Sequence, residues 1–249
     1  SAILDNVNIK NFFNLKNIFP NSKDNLTLNN QKIEIKFSKK KLKIDGSGKI
    51  LLQNEPDEIK YEFLNKENEF FFDTNLKISK NPFSINLINY EKKQKSILNL
   101  NFKGKLQNNK LSFDKISLSE DKNFLNMKNL NLSNEYKIQD IGSVKINYAD
   151  KENLLNKLEI KKDGNNYKIS GDSLNIDKLV SELLNSQDNK KQNIFTKNFN
   201  LLFDIKKIYL DKDNITKNLK GSALFRNNEI YNLNLESFFS NNKKINFTI

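Results

Sequence analysis

The chain has 249 residues, a formal charge of +12, and neither cysteine nor histidine. With no Cys there is no disulfide framework, thiolate nucleophile or Cys zinc site. With no His the usual general base and commonest transition-metal ligand are missing, so most hydrolase and metalloenzyme designs are excluded.

The basic residues are nearly all lysine, with Arg226 the only arginine. Arginine supplies the bidentate fork that reads phosphate and guanine, so its near absence argues against nucleic acid. The lysines are spread along the polar positions of successive strands. No run approaches the ~20 apolar residues of a membrane helix, and no signal-peptide pattern opens the chain.

In chain order, residues 8–19 carry Ile9, Phe12, Phe13, Leu15, Ile18 and Phe19, a spacing that predicts a short helix ending before Pro20. From Lys32 onward the pattern is strand after strand, about fifteen of them, at the spacing of all-β architectures. The clearest lie at 33–37, 42–53, 58–64, 69–78, 83–90 and 96–106, then at 136–148, 166–171, 199–210, 219–226 and 229–238. Asn108-Asn109, Asn165-Asn166, Asn227-Asn228 and Asn241-Asn242 sit between strands, where Asn accepts the left-handed backbone of a tight hairpin. Short connections predict an antiparallel meander without βαβ rhythm.

One segment breaks the alternation. Ile176, Leu179, Val180, Leu183 and Leu184 fall on one face of a helix, with Ser173 or Asn175 as its cap. The polar residues that follow read as a loop, and 185–198 is a possible subdivision of an otherwise single segment. Leu111-x-Phe113-x-x-Ile116-x-Leu118 repeats its apolar spacing at 125–132 and 203–210. The alternation slips midway in each. A β-bulge at Asp114-Lys115, Lys128-Asn129 and Lys206-Lys207 would absorb the slip and bend the strand. The alternative is two short strands joined by a turn. Ile245, Phe247 and Ile249 still alternate at the last residue, which reads as a piece of a longer β protein.

No motif carries chemistry. Gly46-Ser47-Gly48 lacks the third glycine and the following helix of a phosphate loop, and reads as a bulge within a strand. Asp211-Lys212-Asp213-Asn214 lacks the later Gly and Glu of a calcium loop and reads as a hairpin. Asn25-Leu26-Thr27 and Asn214-Ile215-Thr216 match the glycosylation sequon, which chance supplies freely in an Asn-rich chain. No carboxylate pair stands out. The chain is therefore read as a non-enzyme with no catalytic residue, metal site or cofactor.

The 19 Phe and 7 Tyr, with no Trp, mostly occupy the apolar phase. Core packing explains any one of them. Together they predict a curved one-layer sheet, a groove or taco-like meander whose apolar face needs either a second sheet or acyl chains to cover it. The candidates for that face are Phe83, Ile85 and Leu87, with Leu98, Leu100 and Phe102 on a later strand, then Phe113 and Phe203.

Residues 110–120, the run Asn166-Tyr-Lys-Ile-Ser-Gly171-Asp-Ser-Leu-Asn-Ile-Asp177, and the strand–turn–strand stretch 219–249 resemble the AsmA-like family, closest to the branch containing YhdP and TamB. That resemblance implies a periplasmic part of an inner-membrane-anchored protein of a Gram-negative bacterium. It also implies an apolar β-groove that passively carries phospholipid toward the outer membrane, with phospholipid acyl chains as its partners, membrane attachment through parent segments absent from this sequence, and no catalytic residues. A structural or adhesive surface β-solenoid or sandwich without lipid is the alternative.

Overall fold

A computed structural model describes residues 2–11, 15–178 and 195–249, and these are almost entirely strand. The chain divides into two compact units, one of Ser1–Asn86 with Glu91–Lys122, the other of Leu87–Tyr90 with Asn123–Ile249.

In the first unit, β1 (Ala2–Leu4) and β2 (Val7–Lys10) both pair with the long β3 (Asn25–Ser38). The sheet continues through β4 (Lys41–Leu51), β5 (Asp57–Lys66) and β6 (Glu69–Ile78) as antiparallel neighbours. The chain then makes β7 (Ser84–Ile85), a 3-10 turn (Asn86–Ile88) and β8 (Tyr90–Glu91) before rejoining. β9 (Leu98–Gln107) pairs with β6, and β10 (Lys110–Glu120) with β9.

The expected helix at 8–19 is not formed as such. Val7 and Ile9 align with Leu28 and Leu26 of β3, and pairing with a half-buried strand outweighs the mixed helical spacing. Residues 12–14 of that expected helix lie outside the described residues, and beyond them Phe19 N donates to Leu15 O (2.7 Å) in a turn. The strand expected at 83–90 is likewise replaced by short pieces. Asn89 takes a left-handed φ of 52°, and Ser84 N donates to Ile18 O (3.0 Å) rather than to a long strand.

In the second unit, β11 (Asn123–Leu132), β12 (Ile138–Ala149), β13 (Leu155–Asp163) and β14 (Asn166–Asn175) are successive antiparallel neighbours. So are β15 (Phe199–Tyr209), β16 (Ile215–Arg226), β17 (Glu229–Phe239) and β18 (Lys244–Thr248). The meander is broken once, where β14 and β15 run parallel. A parallel pair needs a crossover of a dozen residues or more, and 176–198 supplies it. Asn175 Oδ1 accepts from Asp177 N (3.0 Å), as a helix cap does, and residues 177–178 are helical. The expected helix from 179 onward, and most of the possible subdivision at 185–198, lie outside the described residues.

Of the three expected bulges, one forms as a shift of register. β10 shifts register against β9 between Phe113 and Lys115, leaving Asp114 as the extra residue. Asn129 takes a left-handed φ of 54° opposite Gly142. At Lys206 the pairing lapses on both sides while the register keeps step; Asn218 across the ladder turns left-handed, and Ile205 and Ile208 are both buried. The pairing of β11 with β12 likewise keeps step through Asn129, so the bulges expected at Lys128-Asn129 and Lys206-Lys207 do not form as register shifts, and only Asp114 is a bulge of the kind that bends its strand. Asn108-Asn109 and Asn227-Asn228 are left-handed at both positions, the geometry of a two-residue type I′ hairpin. Gly46 lies inside β4 beneath the Tyr61 ring, where any side chain would collide with it.

Candidate functional site

The first unit's sheet has one apolar face, fixed by register. Ile78, Leu76 and Thr74 align with Leu98, Leu100 and Phe102, and Leu118 and Ile116 align with Leu100 and Phe102 from the other side. Toward the opposite edge Phe72 aligns with Phe63, Phe63 with Ile44, and Ile44 with Ile35. Alternate residues share a side, so these rows form one continuous surface. Rings stack along its middle, Tyr61 on Phe63 at 5.1 Å and Phe63 on Phe70 at 5.5 Å, with Phe72 edge-on to Phe113 at 5.6 Å.

The two ends of this face differ. At one end Ile78 and Leu98 are completely buried and Leu100 nearly so, together with Leu52, Phe19 and Phe83 from connecting segments. Phe19 and Phe83 meet edge-on at 5.4 Å. At the other end Leu106 is 41% exposed, Ile35 58% and Phe37 80%.

The closed end is finished by a polar network. Asn81 Nδ2 donates to Asp57 Oδ2 (2.7 Å) and to Glu55 O (2.6 Å), while Ser79 N donates to Asp57 Oδ1 (3.3 Å). Lys92 Nζ donates to Ser79 O (2.7 Å), and Lys93 N and the Ser96 hydroxyl both donate to Glu120. Gln53 Nε2 reaches Pro82 O (2.9 Å). Burial pushes the Asp57 carboxyl above its ordinary value despite the Asn81 bond, and burial lowers the Lys92 ammonium against the pull of Glu120 and Asp57. Buried polar groups satisfied in this way hold a core closed.

The sequence-derived candidates therefore separate. Leu98, Leu100 and Phe83 belong to the closed end. Phe102 and Phe113 lie half-buried further along the same face. Ile85 is half-buried in β7, and Leu87 is exposed in the 3-10 turn and belongs to the second unit. Phe203 is half-buried in the second unit, aligned with Ile169 and Gly221. Sequence reasoning missed Ile35, Phe37, Phe70 and Leu106, the exposed members of the face. Their alternation is as clear as that of Leu98 and Leu100, and only the covering of the other end tells them apart.

A recess of about 1330 Å³ also belongs to the first unit, and most of its lining residues come from the opposite, polar phase, including Lys60, Glu62, Asp73 and Lys103. None of the eight candidates lines it. Several charges on this polar face are paired across strands, Lys43 with Glu62 at 2.9 Å, Lys105 with Glu69 at 2.8 Å and Lys103 with Asp73 at 3.7 Å. Bonds from Lys77 and Lys49 hold the Glu58 carboxyl below its usual range. Such cross-strand pairs stitch an exposed face and contribute modestly each.

Among the described residues no group of three His, Cys, Asp or Glu side chains is placed to hold a metal. No helix among them is long and apolar enough to cross a membrane. No family model, curated protein or solved structure matches the chain.

Proposed function

We propose that this chain is a passive lipid-carrying segment, in which phospholipid acyl chains lie against the open part of the first unit's apolar face. Phe102 and Phe113 would form its inner limit, and Phe70, Leu106, Ile35 and Phe37 its outer part. The observation that carries this reading is the exposure of that outer part on a face whose other end is sealed. Full burial of such a side chain is worth about 1.5–3 kcal/mol, of which each gains the share it still exposes, and contiguous exposed apolar surface marks a binding site more often than a defect. The work is passive, because apolar contact needs no catalytic group. On the AsmA-like resemblance, the setting would be the periplasm of a Gram-negative bacterium, in a protein anchored to the inner membrane that assists phospholipid transport to the outer membrane.

A structural or adhesive sheet without lipid is the second reading. The polar lining of the recess and the sealing of Leu98 and Leu100 favour it. Photo-crosslinking separates the two. A photoreactive residue at Leu106 should label phospholipid in a native membrane background, and one at Leu98 should not. No label at Leu106 would leave the structural reading in its place.

A further inference from the structure

The open end of the first unit carries a second feature that the groove reading does not use. Three hairpin turns lie there, between β3 and β4, β5 and β6, and β9 and β10. Lys39 and Lys40 form the first turn and Lys41 follows it. Lys41 aligns with Lys66 at the end of β5, and Lys110 opens β10. All are exposed, and none forms an ion pair among the described residues.

Elsewhere on the same sheet the mid-strand lysines are mixed, and Lys32, Lys60 and Lys115 form no ion pair among the described residues either. Lys43, Lys49, Lys77, Lys103 and Lys105 each have a carboxylate partner within 4 Å. At the turns only Glu67 offsets the positive charge, since Glu69 is engaged by Lys105. The five turn lysines thus share one edge, about 24 Å long at an inter-strand step of about 4.8 Å. That edge is the one bearing the exposed apolar residues. Phe37 sits two residues before Lys39 and aligns with Leu42, the neighbour of Lys41.

We propose that this edge is a docking surface for an anionic lipid bilayer, with Phe37 and Ile35 inserting at the headgroup–acyl boundary and the lysines meeting lipid phosphates. The match is one of charge and polarity. An anionic leaflet presents negative headgroups over an apolar layer, and interfacial binding draws on buried apolar area plus electrostatic attraction. Each lysine near such a surface adds about 1 kcal/mol. A nucleic acid fits less well, because the edge holds no arginine and its aliphatic members, Ile35 and Leu106, offer no stacking plane for bases. This proposal does not depend on acyl chains occupying the face above it.

The test is flotation of the full chain with phosphatidylcholine vesicles, with and without phosphatidylglycerol. Binding is expected only to the anionic vesicles. Replacing Lys39, Lys40 and Lys41 together by Gln should weaken it about a hundredfold, and Phe37→Ser about tenfold. Lys212→Gln with Lys243→Gln, at exposed positions in the second unit, should leave it unchanged. Circular dichroism and thermal unfolding check that each variant is folded. Equal binding to neutral vesicles, or equal loss in the Lys212/Lys243 control, would overturn the proposal by assigning attraction to apolar contact or net charge alone. Tighter binding to a single-stranded oligonucleotide, abolished by the same lysine changes, would overturn it in favour of a nucleic-acid surface.

Discussion

The two ends of the first unit's apolar face are built from the same strands and nearly the same residue types, yet one is core and the other is bare. Leu98 and Leu106 lie on the same side of β9, and one is completely buried while the other is 41% exposed. What differs is the connections. At the closed end the first unit spends residues 52–56, 79–86 and 91–97 between its long strands, and these segments supply Leu52, Gln53, Asn81, Phe83 and Lys92, all buried. At the open end the turns at 39–40, 67–68 and 108–109 contain two residues each, too few to fold back over anything. In a one-layer sheet, then, connection length decides which half of an apolar face becomes interior.

A charge placed at each end separates the two most strongly. Leu98→Asp should destabilise the protein by about 4 kcal/mol or more, because an unpaired carboxylate would sit in a sealed core. Leu106→Asp should cost less than about 1 kcal/mol, because its carboxylate can hydrate. Denaturant unfolding of the two variants measures the difference, and equal losses would mean that both ends are core.

A step smaller, the polar seal can be opened without touching the strands. Asn81→Ala removes the donor to Asp57 Oδ2 and both bonds to Glu55. Leaving a buried carboxylate short of a partner costs about 2 kcal/mol. Asn65→Ala, an exposed position at the open end, should be neutral within about 0.5 kcal/mol. If both variants unfold at the same denaturant concentration as the parent, the network at Asp57 is not what closes that end.

The alternation of strands was legible in the sequence because a period of two survives in any half-buried sheet, and the Asn hairpins were legible because few other residues tolerate φ > 0. Asp114 could be placed because a slip of phase has few other remedies. The fate of 83–90 was not legible: its alternation is real, but its hydrogen bonds go to Ile18, to its own loop, and to Tyr148 and Lys151, segments far away or without pattern. The parallel pairing of β14 with β15 was hidden in the same way, since only the length of 176–198 hinted at a crossover. For the site, the apolar face could be read but not its closed half. Lys39-Lys40-Lys41 is visible as a run, whereas Lys66 and Lys110 join it only through strand register.

Buried and paired carboxylates titrate with opposite effects on stability. The Asp57 carboxyl is raised above 3.8 by burial, so the folded state holds that proton more tightly than the unfolded chain does. Its contribution is therefore present at low pH and lost as pH rises from 3.8 through the folded value. Asp172 in the second unit, a partly exposed carboxylate, behaves oppositely. Bonds from Lys157 and Lys206 lower it to about 2, so its contribution is present above 3.8 and lost as pH falls toward about 2. Asp57→Asn should remove a decline in stability above pH 3.8, and Asp172→Asn should remove a decline below it. Unfolding curves across this range check both, and slopes of the same sign would contradict the burial of Asp57.

The smallest expected effect on stability is at Phe37, and it is the most diagnostic for the open end. At 80% exposure the ring has almost no folded-state contacts to lose, so Phe37→Ser should leave the unfolding free energy within about 0.5 kcal/mol of the parent. An ordinary core phenylalanine replaced by a small residue costs about 3–5 kcal/mol. The same variant should bind less of an environment-sensitive apolar dye, because the exposed patch around Phe37, Ile35, Phe70 and Leu106 is where such a dye gains contact. Leu98→Ala is the counter-experiment: it should lower stability by about 2–5 kcal/mol while leaving dye binding by the folded protein unchanged. A Phe37→Ser variant that loses several kcal/mol would show that the ring is covered in solution, and the open end would then be an interface already filled.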